Sequence, residues 1–430
     1  MSKIIISLKL LEIKSIFILS AILFKVILEY TYVNLANPIY GYLYGHHGFS
    51  LEVSLIKYLE GWLIYLCFLL FTPHLLKQTS DYIINVLFFN FLSPFLVFYS
   101  LSDAVRLHLY IVLLGIIIIY LLRKGKKIRL STIKHGPTYV FFICILGIFI
   151  VNSWLTFSGA FNFFNLDLTR VYEFRHDVSS LINIWVMAYI NNWAYKVFGP
   201  VLLIIFLFKK KYFFASLVFL LHVFWFGISS HKVVLFIPFS ILFIYIWFRS
   251  NRGLSIIPIS YTLVMSFSYL FFVVFDNIWL AAFFIIRVFF IPSMLTFAYC
   301  DFFSSKGFIY WSDSITSRFI DYPYNLDPPR LIGNFLGLPD GSANNSFLST
   351  GYMHAGIIGV IFYSFIFSLL LRLVDNIKYE DKKMWISVAI LITPMFASIT
   401  SSDLFVALLT DGILLSILLL YLFRKSKKLT

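Results

Sequence analysis

The stretch TRVYEFRHD (169–177) gathers Arg170, Glu173, Arg175, His176 and Asp177 in an otherwise apolar chain. A guanidinium fork grips phosphate through paired hydrogen bonds. Asp177, Ser179 and Ser180 stand just before a long apolar run, and any of them could cap the helix that follows. A helix N-terminus offers free N–H groups and roughly half a positive charge. Arg175 and His176 would hang over that end, with Arg170 one short loop away. The spacing fits a cradle for a diphosphate. It fits equally a loop in which Asp167, Glu173 and Asp177 neutralise the arginines, and the local sequence leaves both readings open.

A second polar stretch, RFIDYPYNLDPPRLIGNFLGLPDGSANNSFLSTGYMHAGIIG (318–359), carries Arg318, Asp321, Arg330, Asn334, Asn344, Asn345 and His354. Its prolines and glycines predict a constrained irregular loop, and loops this long are uncommon without a role. Tyr310, Trp311, Tyr322, Tyr324 and Tyr352 could stack on sugar rings or sit as interfacial belt residues. A third place is the short turn ISSHKVV (228–234), where His231 and Lys232 lie between two apolar runs.

These residues must be positioned by membrane helices. The chain has 430 residues, of which 60% are hydrophobic and only 13% charged, with 51 phenylalanines. That apolar content requires the bilayer as solvent, and long continuous runs favour helices over a barrel. The predicted class is an all-α polytopic membrane protein forming a single domain, 1–430. The net charge of +14 sits mostly in RKGKKIR (123–129), KKK (209–211), RSNR (249–252), KYEDKK (378–383) and RKSKK (424–428). Basic loops between apolar runs set orientation, so no nucleic-acid partner is expected. Cys67, Cys144 and Cys300 have no metal spacing and read as small buried hydrophobes. The first apolar run is long, lacks a small-residue cleavage site, and reads as a spanning helix.

Apolar segments of spanning length fall at 15–34, 51–72, 82–101, 104–122, 137–156, 183–208, 212–229, 233–248, 255–275, 277–300, 354–374, 384–400 and 404–423. Lysines at both ends put both termini in the cytoplasm, which demands an even number of crossings. The basic loops locate the odd segment at 277–300, which holds Arg287 near its middle and Pro292 soon after. A central arginine costs about 3 kcal/mol on insertion scales. The expectation is therefore about twelve crossings plus one re-entrant or interfacial segment, with Arg287 facing a wet cavity. The alternative is that Arg287 snorkels to lipid phosphate or pairs with an acid on another helix. This topology makes 157–182 and 301–353 two long outer loops. Within the membrane, Lys25 and Glu29 are expected to pair, and Lys57 and Glu60 to do the same. Asp411 lacks a local partner and is open to an arginine elsewhere or to a coupling ion.

There is no G-x-x-x-x-G-K-[ST], no H-E-x-x-H and no paired Cys/His spacing, so neither a nucleotide-driven pump nor a metal site is indicated. The chain resembles the O-antigen or oligosaccharide repeat-unit polymerases over most of 140–360. The residues that carry the likeness are Arg170 and Arg175, the SSHK turn (229–232), RVFFIP (287–292) leading to YCDFF (299–303), and SANNSFLSTGYMHAGIIG (342–359). The resemblance implies a membrane glycosyltransferase without metal or cofactor. It would transfer a growing glycan from undecaprenyl pyrophosphate to an incoming lipid-linked repeat unit, on the outer face of the bacterial plasma membrane. It maps the family's functional arginines to Arg170, Arg175, Arg287 and Arg330, and Arg318, Asn344, His231 and Lys232 are further candidates for substrate binding. It also implies membrane lipid, a chain-length regulator and a flippase as partners. The related ligases carry His-Asn-x-[FY]-L, and here Asn344 replaces that histidine, which argues against ligase activity. The acceptor base is then His176, His354 or Asp177. A transporter or flippase for a lipid-linked sugar, or a ligase-like transferase, is the alternative.

Overall fold

The computed structural model describes residues 2–41, 48–125, 130–167, 181–182, 184, 186–338, 341–377 and 383–424, with side chains from Leu11 onward. Among these residues the protein is helical, with no strand. In hydrocarbon every backbone N–H and C=O must find its partner within the segment, which a helix achieves. All thirteen apolar segments form helices: α1 Ser2–Thr31, α2 Leu55–Phe71, α3 Thr79–Leu101, α4 Arg106–Leu122, α5 Gly136–Phe157, α6 Met187–Phe208, α7 Tyr212–Ser229, α8 Lys232–Phe248, α9 Ile256–Phe275, α10 Trp279–Lys306, α12 Phe347–Asn376, α13 Met384–Thr400 and α14 Leu404–Phe423. A further short helix, α11 (Pro328–Phe335), lies in the second long loop. Among the described residues, eight helices are long and apolar enough to cross a membrane. The protein is thus a multi-pass, all-α membrane protein.

By Cα packing the chain forms two compact units. The first comprises Met1–Gly125, Arg252–Arg372 and Ser398–Leu404. The second comprises Lys126–Asn251, Leu373–Ala397 and Phe405–Thr430.

In the first unit the apolar window of α3 is 100% buried. Such a helix must be enclosed by others. Phe89 packs edge-on against Phe24 of α1, and Phe95 stacks on Phe297 of α10 at 4.5 Å. The expected Lys25–Glu29 pair forms at 2.7 Å, and the Lys25 ammonium also lies 4.5 Å from the Trp62 ring centroid. The expected Lys57–Glu60 pair does not form. Lys57 donates to the carbonyls of Ala104 (2.8 Å) and Ser102 (3.3 Å), which lie between two helices and lack helical donors. Glu60 instead meets Arg106 at 3.1 Å and accepts from Tyr99 and Tyr110. A guanidinium and two phenols outbid one lysine at i−3.

The path of α10 is unusual. Tyr30 of α1 meets Tyr269 of α9 at 5.3 Å, Tyr58 of α2 donates to Glu29, and Glu60 of α2 pairs with Arg106 of α4. These contacts bring the C-terminal ends of α1 and α9 and the N-terminal ends of α2 and α4 to one end of the unit. α10 starts just after α9 stops, and Asp301 near its far end meets His108 in the first turn of α4 at 3.1 Å. Midway, Phe289 reaches Phe24 and Tyr261, deeper in the unit. By length and composition α10 is one of the eight helices able to cross a membrane. The π-helical stretch Ala282–Phe290 hands over to α-helix at Ile291, and Pro292, which has no N–H to lose, sits at that junction.

The chain turns back on itself in α12. Ala355 (φ −151°, ψ 32°) and Gly356 (φ 58°, ψ −136°) are not helical. Phe347 stacks on Phe367 at 4.6 Å, and Gly351 faces Gly359 across a close backbone approach. Residues 347–354 thus fold back antiparallel on the helix that follows. Leu348, Val360 and Ser364 all face Gly115, two turns into α4 from His108. The loop before Phe347 therefore reaches that depth inside the unit. It is also shorter than the expected 301–353, because α10 runs on to Lys306.

In the second unit, α6 contains a π-helical turn at Ala194–Phe198, and α14 is interrupted between Leu409 and Ile413. Gly412 adopts φ 87° there. Asp411 finds its partner at this break: Lys196 at 2.5 Å, not an arginine. The Trp193 indole donates to the Leu409 carbonyl at 2.7 Å, satisfying an acceptor that the break would otherwise leave open.

Candidate functional site

The break in α12 creates a site. Ending the first half of the helix at His354 frees the carbonyls of Met353 and His354. The loop after α10 supplies the missing donors, from the Ile309 N–H (3.2 Å) and the Tyr310 N–H (2.9 Å). The chain then turns through two left-handed residues, Tyr310 (φ 49°) and Trp311 (φ 60°). Such backbone costs about 1–3 kcal/mol per residue and persists only where its surroundings enforce it. Here it lays the Trp311 indole flat on the His354 imidazole, 4.9 Å between centroids and 15° apart.

The hydrogen bonds fix the direction of every proton in the cluster. The Trp311 peptide N–H donates to His354 Nδ1 at 3.3 Å. A peptide N–H cannot accept, so Nδ1 carries the lone pair and the neutral ring holds its proton on Nε2. Nε2 faces Asp403 Oδ2 at 3.3 Å. The Trp311 indole N–H donates to the Tyr363 oxygen at 2.8 Å, and Tyr363 donates in turn to the same Asp403 oxygen at 2.9 Å. Two donors therefore converge on one carboxylate oxygen. His354 and Tyr363 are buried, while the Asp403 side chain keeps 18% of its surface.

Asp313 lies on the same loop. The residue as a whole is exposed, yet the protein packed around its carboxyl raises it above the ordinary carboxylate range, with His354 opposing the shift and Asp403 adding to it. A second histidine–carboxylate contact, His108–Asp301, stands nearby, with the His108 ring 6.1 Å from that of Tyr352. Deeper in the returning loop, Tyr299 donates to the Ala343 carbonyl at 2.9 Å and Asn345 donates to Thr296 at 3.0 Å. Irregular backbone at this depth is tolerated where protein buries it.

Of the residues singled out from sequence, Arg170, Arg175, His176 and Asp177 lie outside the described residues. His354 is at the centre of the cluster. Asn344 is exposed and bonds to Ser342 at 3.2 Å; its neighbour Asn345 is the one turned inward. Arg318 is exposed, Arg330 is exposed and pairs with Asp327 at 3.5 Å, and Arg287 is exposed on α10. His231 and Lys232 begin α8 in the second unit. Asp403, Tyr363 and His108 were not anticipated. Asp403 carried one usable signal, an acid in the tight SSD turn (401–403) between two apolar helices. Among the described residues, no three His, Cys, Asp or Glu side chains converge as a metal site would need. No protein-family model, curated protein or solved structure matches the chain.

Proposed function

We propose that this protein is a membrane glycosyltransferase that polymerises lipid-linked oligosaccharide repeat units at the outer face of the bacterial plasma membrane. The observation that carries the reading is the His354–Asp403–Tyr363–Trp311 network, a prepared proton-handling site whose Trp311 comes from the same polar loop as Arg318 and Arg330. The break and return of α12 favour it, because they bring polar backbone into a helical bundle where a lipid-borne head group could be met. The resemblance in sequence adds the substrate class. In this reading α10 is the non-crossing segment of a bundle with about twelve crossings and cytoplasmic termini. Arg170, Arg175 and Arg287 hold the undecaprenyl-linked diphosphate and stabilise its leaving charge. Arg318, Arg330 and Asn344 hold the incoming unit, and His231 and Lys232 offer a further anion contact. A chain-length regulator and a flippase would be its natural partners.

Deleting the gene is expected to convert a ladder of surface glycan into single repeat units on the lipid core, read on a gel. Complete loss of surface glycan would instead indicate export or synthesis. That outcome would favour the second reading, a transporter of the lipid-linked unit. The specific observation behind that reading is the Lys196–Asp411 pair at a helix break, an arrangement found at midplane sites of carriers. A bound lipid phosphate at mid-depth, and not near the outer leaflet, would decide for the carrier.

A further inference from the structure

We propose that Asp403 takes the proton from the acceptor hydroxyl, and that His354 and Tyr363 are positioning residues that hold it. The assignment rests on the polymerase reading and places the base on a residue other than His176, His354 and Asp177, the three the sequence offered. Three groups in the cluster can hold a proton. His354 is 2% exposed, lies beneath the Trp311 indole, and has both ring nitrogens engaged. Its Nδ1 already receives a peptide N–H, and its Nε2–H points at the carboxylate. To act as a base it would have to break the contact that pins Trp311. Tyr363 is fully buried and donates to Asp403. Asp403 alone combines an acceptor with access, since its side chain remains 18% exposed. Two donors on Oδ2 fix the plane of the carboxylate, as a base needs if it is to meet a hydroxyl at hydrogen-bond distance.

The step balances as follows. The acceptor O–H gives its proton to the Asp403 carboxylate, which becomes a carboxylic acid. The hydroxyl oxygen's pair forms the new bond to the anomeric carbon. The bond from that carbon to the diphosphate oxygen breaks, and its electron pair leaves with the diphosphate. The acid then returns its proton to water. Besides the two donors, Asp313 from the loop and Tyr299 from α10 are among the described groups that face Asp403.

The full chain is reconstituted in liposomes with a diphosphate-linked repeat unit, and chain extension is followed over a range of pH. Positioned general bases contribute about 10²–10⁴-fold. Asp403→Asn is therefore expected to slow extension by about 100-fold or more while the protein keeps its thermal midpoint. His354→Gln, which keeps an N–H donor but is no base, is expected to retain at least about a tenth of the rate. Asp403→Gly is expected to recover about tenfold or more on adding formate, a rescue that a purely structural role would not show. If Asp403→Gly does not fold, Asp403→Glu, which keeps the carboxylate, serves in its place; it is expected to preserve the rising limb of the pH–rate profile that Asp403→Asn flattens. The proposal is overturned if folded Asp403→Asn keeps more than about a tenth of the rate, or if His354→Gln is the variant that loses about 100-fold. A wild-type protein that extends nothing overturns the polymerase reading itself, and this assignment with it.

Discussion

Gly356→Ala is expected to be among the most damaging single substitutions in the protein. Gly356 has φ 58° and ψ −136°, a region that residues with a Cβ avoid. The strain amounts to about 1–3 kcal/mol. A Cβ there would also press on the Phe308 ring, which packs edge-on against Tyr352 at 5.6 Å. The two effects add because they concern one bend. Straightening it would pull Gly351 from Gly359 and withdraw the Met353 and His354 carbonyls from Ile309 and Tyr310. Trp311 would then lose its seat on His354. The expected outcome is a loss of about 2 kcal/mol or more, seen as a lowered thermal midpoint of purified protein, together with loss of polymer. Gly337→Ala is the comparison. Gly337 also has positive φ, 77°, but a Cβ there meets nothing, so only a smaller backbone cost is expected.

The second large effect is expected at Lys25→Met. The Lys25 side chain is fully buried, and its ammonium bonds to Glu29 at 2.7 Å. Methionine fills a similar volume, so packing is largely kept. The cost arises at Glu29, whose side chain is 12% exposed and would keep, among the described residues, the Tyr58 hydroxyl. Removing one partner of a buried pair typically costs about 3–5 kcal/mol, because a charge is left without compensation. Lys25→Met with Glu29→Gln should recover most of that loss. Equal instability of the single and double variants, measured by thermal unfolding, would show that the lysine acts through packing alone.

The helices were legible because the bilayer imposes one rule on every segment. Each apolar run had to become a helix, and the structure has one in each place. Local pairs followed when no rival stood near, as for Lys25 and Glu29. Lys57 and Glu60 misled, since their better partners come from residues 99–110, brought close only by packing. Charge counting set 277–300 apart as a segment that does not span; the structure has a continuous helix there, Trp279–Lys306, because a π-helical register accommodates Pro292 without a gap.

The candidate site was half legible. His354 stood out as an ionisable residue beside glycines in a polar loop. Its pairing with Trp311, Tyr363 and Asp403 did not, because they lie 43, 9 and 49 residues away along the chain. They meet only once Gly356 turns the chain back. No spacing rule reaches across such a bend. The sequence marks that glycine only as one of several in a constrained stretch, whereas its role is to make the bend itself.

The most direct measurement of the central claim uses the purified protein in liposomes, supplied only with a diphosphate-linked repeat unit in the outer-facing leaflet. The account predicts a ladder of lipid-linked chains growing by one repeat at a time, with diphosphate lipid released for each linkage made. Unextended repeat units, with no diphosphate lipid released and the labelled lipid moved to the opposite leaflet, would contradict it.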